Sequence, residues 1–435
     1  MRNKWILLLG LFALTNLVQA QTTLSLKQAY ELALENNFSI QIASNELEIA
    51  KRNNVIGNAG MLPSLNGVVN QDNQVVDTKQ KFLNGAENNR DGAKSNSLNA
   101  SVEMNWTLFN GMKMFATKRK LAEFEAMGKL RLKQQMENTL SRVAKAYLDA
   151  LLAKEQLAIA EQVLSIGEKR LQVAKAKLEA GKSPKSEVLN VQVNLQADKA
   201  AARRLEASYK NSKLNLLQLL GLQTSFNFEL SDSWVSQEAL SYEAFKESAM
   251  QQNSGIQLSK LSKELAQTQL GELKADRYPS LQLRSGYNYN KQESEAGFLQ
   301  SSNNAGFHYG LGLNLNIFNG FDTDRKIGIA KINQKSAELL YKDSLLKLEI
   351  AVAQAYEMYA ANRALFQFEE SNVLLAKENF ELAREQQANG LLSINDLRIA
   401  EVNYMQSMQR KFQAAYEAKL SEIELKRLSG KLLQQ

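Results

Sequence analysis

This 435-residue chain is nearly without two of the side chains that most often act as general base and nucleophile. There is one histidine, His308, and no cysteine, so thiolate nucleophiles, disulfides and thiolate-ligated metals are excluded. His308 lies in an alternating run from Phe307 to Ile317, on its polar side, with no cysteine to pair with. Gly310-Leu311-Gly312 in the same run lacks the third glycine and the helix start of a dinucleotide fingerprint. Carboxylate pairs such as Glu369-Glu370 sit in heptad-rich helix and read as a solvated face. The basic clusters Lys129 to Lys133 and Lys199 to Arg204 read the same way, because their charges alternate along an exported helix. No metal, cofactor or nucleic-acid partner is expected, and the chain does not read as an enzyme. What remains is charge set on a wall: Glu103, Arg284 and His308 each fall on the wet face of an alternating segment.

The start of the chain says which compartment that wall belongs to. Arg2 and Lys4 precede an apolar stretch from Trp5 to Leu14, and Val18-Gln19-Ala20 supplies small-residue punctuation. This is the order of a secretory signal peptide, residues 1–20. The stretch falls short of the roughly 20 apolar residues of a spanning helix, and no later segment supplies them. Of 53 Lys and Arg residues, 51 remain after Ala20 against 46 Asp and Glu, a net of +5 in place of +7, too mild to select an anionic partner. Only Pro63, Pro184 and Pro279 interrupt a composition rich in Leu, Ala, Lys, Glu and Gln, which is that of long helices.

The elements that carry the wall are written twice. Ala33, Asn37, Ile40, Gln41, Pro63, Ser64 and Leu65 recur 216 residues later as Ala249, Asn253, Ile256, Gln257, Pro279, Ser280 and Leu281. Phe109, Asn110, Gly111, Tyr147, Gly181 and Gly221 recur 209 residues later as Phe318, Asn319, Gly320, Tyr356, Gly390 and Gly430. The difference of seven falls between Leu65 and Phe109 and reads as a loop of variable length. Residues 21–230 and 231–435 are therefore expected to be two copies of one unit: a helix, two strands, a very long helix, a glycine-marked turn and a second long helix. The first long helix, near Phe115 to Ala180, is about 100 Å long at 1.5 Å per residue. Leu157, Leu164, Leu171 and Leu178 form one heptad row; Ala153, Ala160, Gly167, Ala174 and Gly181 form the other. Val188, Leu195, Ala202, Tyr209 and Leu216 continue the seam on the returning helix, an antiparallel coiled coil with small residues facing large ones.

Strands are expected at about 63–76, 98–109, 279–289 and 307–318. In the second, Leu98, Ala100, Val102, Met104, Trp106 and Leu108 alternate with Asn99, Ser101, Glu103, Asn105 and Thr107. Ten-residue alternation with aromatics on the apolar side matches a transmembrane β-barrel, lipid outside and water inside. A soluble half-buried sheet alternates in the same way, so each strand alone leaves both readings open. The signal peptide, the aromatics and the duplication favour the barrel, whose lumen Glu103, Arg284 and His308 then face. Four strands cannot close around a lumen, since the smallest membrane barrels have about eight. Oligomerisation is required.

Four features, each present twice and in order, resemble the TolC-type outer-membrane efflux protein (outer membrane factor) family. They are the opening helix from Leu26 to Asn37, and Leu62-Pro63-Ser64-Leu65 with Tyr278-Pro279-Ser280-Leu281 before the strands. They continue with Leu108-Phe109-Asn110-Gly111 and Ile317-Phe318-Asn319-Gly320 after the strands, and with the helix-turn tips around Gly181 and Gly390. The resemblance covers essentially the whole chain beyond residue 20. It implies a homotrimer whose twelve strands form one outer-membrane β-barrel, embedded in lipid and continued by a periplasmic coiled-coil α-barrel. The implied function is the exit duct of a tripartite efflux or type I secretion system, fed by a periplasmic adaptor (membrane fusion protein) and an inner-membrane transporter. The tips that the resemblance assigns to adaptor contact are Gly181, Lys182, Ser183, Pro184 and Lys185, and Gly390, Leu391, Leu392, Ser393 and Ile394. It also places Asp396, with Glu187 as its counterpart, at the channel entrance, where three carboxylates about an axis favour cations. Capping of the following helix is the competing role for Asp396. Two positions depart from the family pattern: Ile399 stands where a second entrance acid occurs, and Leu392 where a tip arginine occurs. Closure is therefore expected to rest on coil packing. The competing function is a periplasmic structural or adaptor coiled-coil protein, which would share the hairpins but has no use for four lipid-faced strands.

Overall fold

The computed structural model describes residues 22–231, 241–296 and 299–434, so the signal peptide lies outside the described residues. The order of elements is β1 (Thr22–Leu24), α1 (Leu26–Asn36), α2 (Phe38–Asn53), β2 (Ser64–Lys81), β3 (Glu87–Asn110), α3 (Lys113–Glu179), α4 (Lys185–Leu220) and β4 (Phe228–Leu230). Then follow α5 (Tyr242–Gln252), α6 (Ser254–Lys274), β5 (Ser280–Ser294), β6 (Ser301–Asn314), α7 (Asp322–Ala388) and α8 (Ile394–Leu428). Both α3 and α7 have 67 residues.

Each opening helix proves to be two. Asn37 and Asn253 leave helical geometry at ψ 121° and 122°. Asn37 Oδ1 accepts from the backbone N–H of Ser39 and Ile40, at 3.0 and 3.3 Å, and so caps α2. Its Nδ2 donates to the Leu219 carbonyl at 2.7 Å, and Asn253 Nδ2 donates to the Leu428 carbonyl at 2.9 Å. One asparagine thus starts a helix and ties down the end of another.

The contacts divide the chain into two compact units, each drawing on both halves of the sequence. The first holds residues up to 43, 133–254 and 346–435. Its core gathers Leu24, Tyr147, Val143, Ala150, Leu216, Leu220, Phe228 and Leu432, all nearly free of solvent. Tyr147 donates its hydroxyl to the Leu24 carbonyl at 2.9 Å, so the buried phenol leaves no polar group unpaired. Short parallel pairing of β1 with β4 closes this end. Along the α3–α4 hairpin the small and large rows meet as the heptads require: Ala174, Val188 and Val191 are buried with Leu171 and Leu178 against them. A Cβ at Gly167 would stand 3.1 Å from Leu195, which shows how closely the helices approach there.

The second unit, residues 44–132 and 255–345, carries the sheet. Its four strands run antiparallel in the order β2-β3-β5-β6. The first three strands are longer than their alternation indicates, because Asp77 to Lys81, Glu87 to Ser97 and Asn290 to Ser294 are mostly polar on both faces and pair without leaving a hydrophobic signal. The fourth differs from the expected 307–318: it runs from Ser301 and ends at Asn314. Its partner β5 begins at Ser280, opposite Asn314, so Leu315 to Phe318 have no strand beside them in this chain. Each strand passes into its long helix through two successive left-handed residues, Gly111-Met112 (φ 67° and 69°) and Gly320-Phe321 (φ 65° and 63°).

Candidate functional site

Three surfaces bear on function, and the sheet is the first. Backbone pairing sets Glu103 opposite Gly286 and Gly286 opposite His308, while Arg284 stands between Asn105 and Gly310. Residues directly opposite share a face, so Glu103, Arg284 and His308 lie on one side of the sheet, all exposed. The imidazole rests on Gly286, where an added Cβ would come within 2.9 Å of the ring, so only glycine leaves it room. The opposite face carries Val69, Val102, Trp106, Tyr287, Phe307, Tyr309, Leu311 and Leu313, each more than a third exposed. That much contiguous apolar surface on one face of a sheet requires an apolar neighbour. Among the described residues no helix is long and apolar enough to cross a membrane. The polar extensions of the strands, near 77–81, 87–97, 290–294 and 301–304, run past the roughly ten residues of a membrane-spanning strand.

The tips are the second surface. Gly181 N–H bonds the Leu178 carbonyl at 2.9 Å and Lys182 N–H the Lys177 carbonyl at 2.8 Å. Gly390 and Leu391 repeat the pattern on Gln387 and Gln386, at 3.1 and 2.9 Å. Both turns are Schellman closures with glycine in the left-handed position, φ 69° and 76°. Their surroundings are open: an added Cβ at either glycine meets nothing within 4 Å, and Leu391 is 78 % exposed. The helices that follow start differently. Pro184 makes no side-chain cap, whereas Ser393 Oγ accepts from Asp396 N–H at 3.2 Å and donates to Asp396 Oδ2 at 2.7 Å. Asp396 is exposed in the first turn of α8, closing that cap; Glu187 sits half-buried in the first turn of α4.

The third surface is one that sequence reading missed. Glu401 of α8 is buried, with Arg170 of α3 donating to it. Arg398 reaches Glu401 Oε1 at 3.3 Å and Asp198 of α4 at 3.2 Å. Burial raises the Glu401 carboxyl above the usual glutamate range, against the downward pull of Arg170 and Arg398. Three helices are thereby joined by charge about three turns from the tips, where packing alone was expected to hold them. The signal was present in α8: buried positions 401, 405, 415, 418 and 422 follow helical spacing, and two of them are glutamates.

Residues 29–222 and 246–431 match the profile of the family described as outer membrane efflux protein. The chain belongs to that family. It is 23 % identical to the alkaline protease secretion protein AprF of Pseudomonas aeruginosa over 402 residues, 91 % of this chain and 82 % of AprF. It is 19 % identical to the proteases secretion protein PrtF of Dickeya chrysanthemi, across 100 % of this chain and 94 % of that one. Among solved structures, the Campylobacter jejuni CmeC outer membrane channel superposes with a TM-score of 0.78 at 16 % identity, over 94 % of this chain and 86 % of CmeC. This efflux protein is an outer-membrane exit duct of a tripartite export system, with the family's trimeric β-barrel and helical periplasmic tunnel.

Proposed function

We propose that this duct receives its cargo through an adaptor docked on the tips Gly181 to Lys185 and Gly390 to Ile394, and conducts it without chemical change. One observation carries the reading: both hairpins end in fully formed turns where a Cβ added at either glycine would meet nothing within 4 Å, and Leu391 is left 78 % exposed. Surface kept open at a well-ordered turn is available to a partner. Changing Gly181 and Gly390 together to tryptophan is expected to abolish export while leaving outer-membrane insertion intact; export at the parental level would refute the docking role.

Asp396 serves as the entrance carboxylate as well as the helix cap. Its exposure on the first turn leaves one oxygen free for a ring of three. Asp396→Ala should lower cation selectivity and cation block in planar bilayers, and unchanged selectivity would leave it only the capping role. Glu103, Arg284 and His308 line the lumen of the strand barrel. The cargo class favoured is polypeptide, because AprF and PrtF, matched over nine-tenths or more of this chain, are named for protease secretion. Comparing secreted protein and small-molecule susceptibility after deletion of this chain tests that choice.

A further inference from the structure

The polar face of the sheet has a bare patch with a single ring in it. Backbone pairing strings Asn66, Glu103, Gly286 and His308 into one row across β2, β3, β5 and β6, all on that face. His308 stands beside Gly286 across the ladder and between Gly306 and Gly310 along β6. With no side chain at those three positions, the imidazole lies down across Gly286, which is buried although Glu103 and His308 on either side of it are exposed.

The ring lies with its far edge forward. The place a Cβ would take at Gly286 is 2.9 Å from His308 Cε1, 3.2 Å from Nε2 and 2.8 Å from the Val102 carbonyl oxygen. Nε2 has thus crossed onto β5, and Glu103 is the next residue of the row. Neighbouring strands lie about 4.8 Å apart, a gap that a glutamate side chain closes. Arg284, the other charge on this face, turns the opposite way along β5, its Nη2 donating to Gln282 Oε1 at 3.3 Å. Among the described residues neither the Glu103 nor the His308 side chain is engaged in a hydrogen bond or ion pair.

We propose that His308 Nε2 and the Glu103 carboxylate form a binding site for a divalent transition cation such as Zn2+, with Gly286 as its floor and water completing the coordination. Zinc takes an imidazole nitrogen and a carboxylate oxygen at about 2.0–2.2 Å each, so one ion bridges the two side chains across the glycine. Imidazole selects zinc and its transition-metal neighbours, whereas magnesium and calcium take oxygen ligands. Among the described residues no group of three or more His, Asp or Glu side chains converges as a metal cage, so this site is open, with two protein ligands. An open site suits a conduit, because a wall that binds passing ions must also release them. That consequence rests on the exit-duct reading, which sets one such site per copy in the barrel lumen. Its chemistry differs from that of the Asp396 entrance, which is carboxylate alone.

The chain holds one histidine, so the test reads it alone. In the detergent-purified protein prepared without a histidine tag, Cu2+ used as the probe is expected to show imidazole nitrogen coupling by pulsed EPR. Zn2+ should displace it, and excess Mg2+ should not. His308→Ala should abolish the coupling. Glu103→Gln should keep it and weaken Zn2+ at least about tenfold, the loss that follows even from removing an outer-shell partner of a metal ligand. Asp396→Ala should leave both unchanged. Absence of imidazole coupling in the parent would overturn the site. Undiminished Zn2+ affinity in Glu103→Gln would overturn it too, leaving a ring that only covers Gly286. In planar bilayers, Zn2+ added at the strand end should lower the conductance of the parent and not that of His308→Ala. Zn2+ binding without this block would leave the site standing and overturn the placement of this face in the lumen.

Discussion

Four glycines end helices in this protein with the same left-handed turn, yet they live in opposite surroundings. At Gly221 and Gly430 a Cβ would stand 2.4 Å from the Asn36 carbonyl oxygen and 2.8 Å from the Gln252 carbonyl oxygen. At Gly181 and Gly390 it would meet nothing. The first pair packs the ends of α4 and α8 against the ends of α1 and α5, and the helix boundary there is part of the core. The second pair turns in open solvent, so its backbone geometry is satisfied locally and its surface stays exposed. Identical local chemistry therefore serves core packing at one end of each hairpin and an exposed turn at the other.

The largest effect should come from the packed pair. Gly221→Ala or Gly430→Ala adds a left-handed alanine and a backbone clash, and should destabilise by about 3–5 kcal/mol, read as a lowered thermal unfolding midpoint. Asn37→Ala sharpens the same end: it strands the Leu219 carbonyl and removes the α2 cap, for about 2 kcal/mol in thermal unfolding. At the other end, Gly181→Ala and Gly390→Ala should cost only about 1 kcal/mol each, the left-handed penalty alone. Ser393→Ala should cost about 0.5–1 kcal/mol through the cap it shares with Asp396. Equal losses at the two ends would erase the distinction.

Between the ends, the Glu401 cluster responds to pH. The folded state holds the Glu401 proton more tightly than the unfolded chain does. Its contribution is therefore fully present below the ordinary glutamate value and is lost as pH rises through the raised folded value. Glu401→Gln should remove that part of the decline, seen as a flatter midpoint-versus-pH curve than the parent's. Superimposable curves would show that the arginines carry the cluster without proton exchange.

Most of the element order was legible because periodicity survives translation into structure. The heptad rows around Leu171 and Val188 bury as their spacing requires, and the alternation of Leu98 to Leu108 becomes one face of β3. The break at Asn37 was hidden, since a residue that caps one helix and donates to the end of another looks like ordinary helical polar surface in one dimension. The ends of β2 and β3 were hidden because strand pairing needs no hydrophobic contrast where both faces are wet. Glu401 drew no notice in the sequence because its counter-charges, Arg170 above all, come from helices far away along the chain.

By itself the sequence determined the duplication, the periods of its helices and strands and the absence of thiol chemistry, all of which can be read along the chain without knowing which segments meet. Tertiary structure decided which carboxylate is buried beside arginines, which glycines meet a backbone, and where β6 ends. Each of those depends on which distant segments meet, and no local preference encodes that.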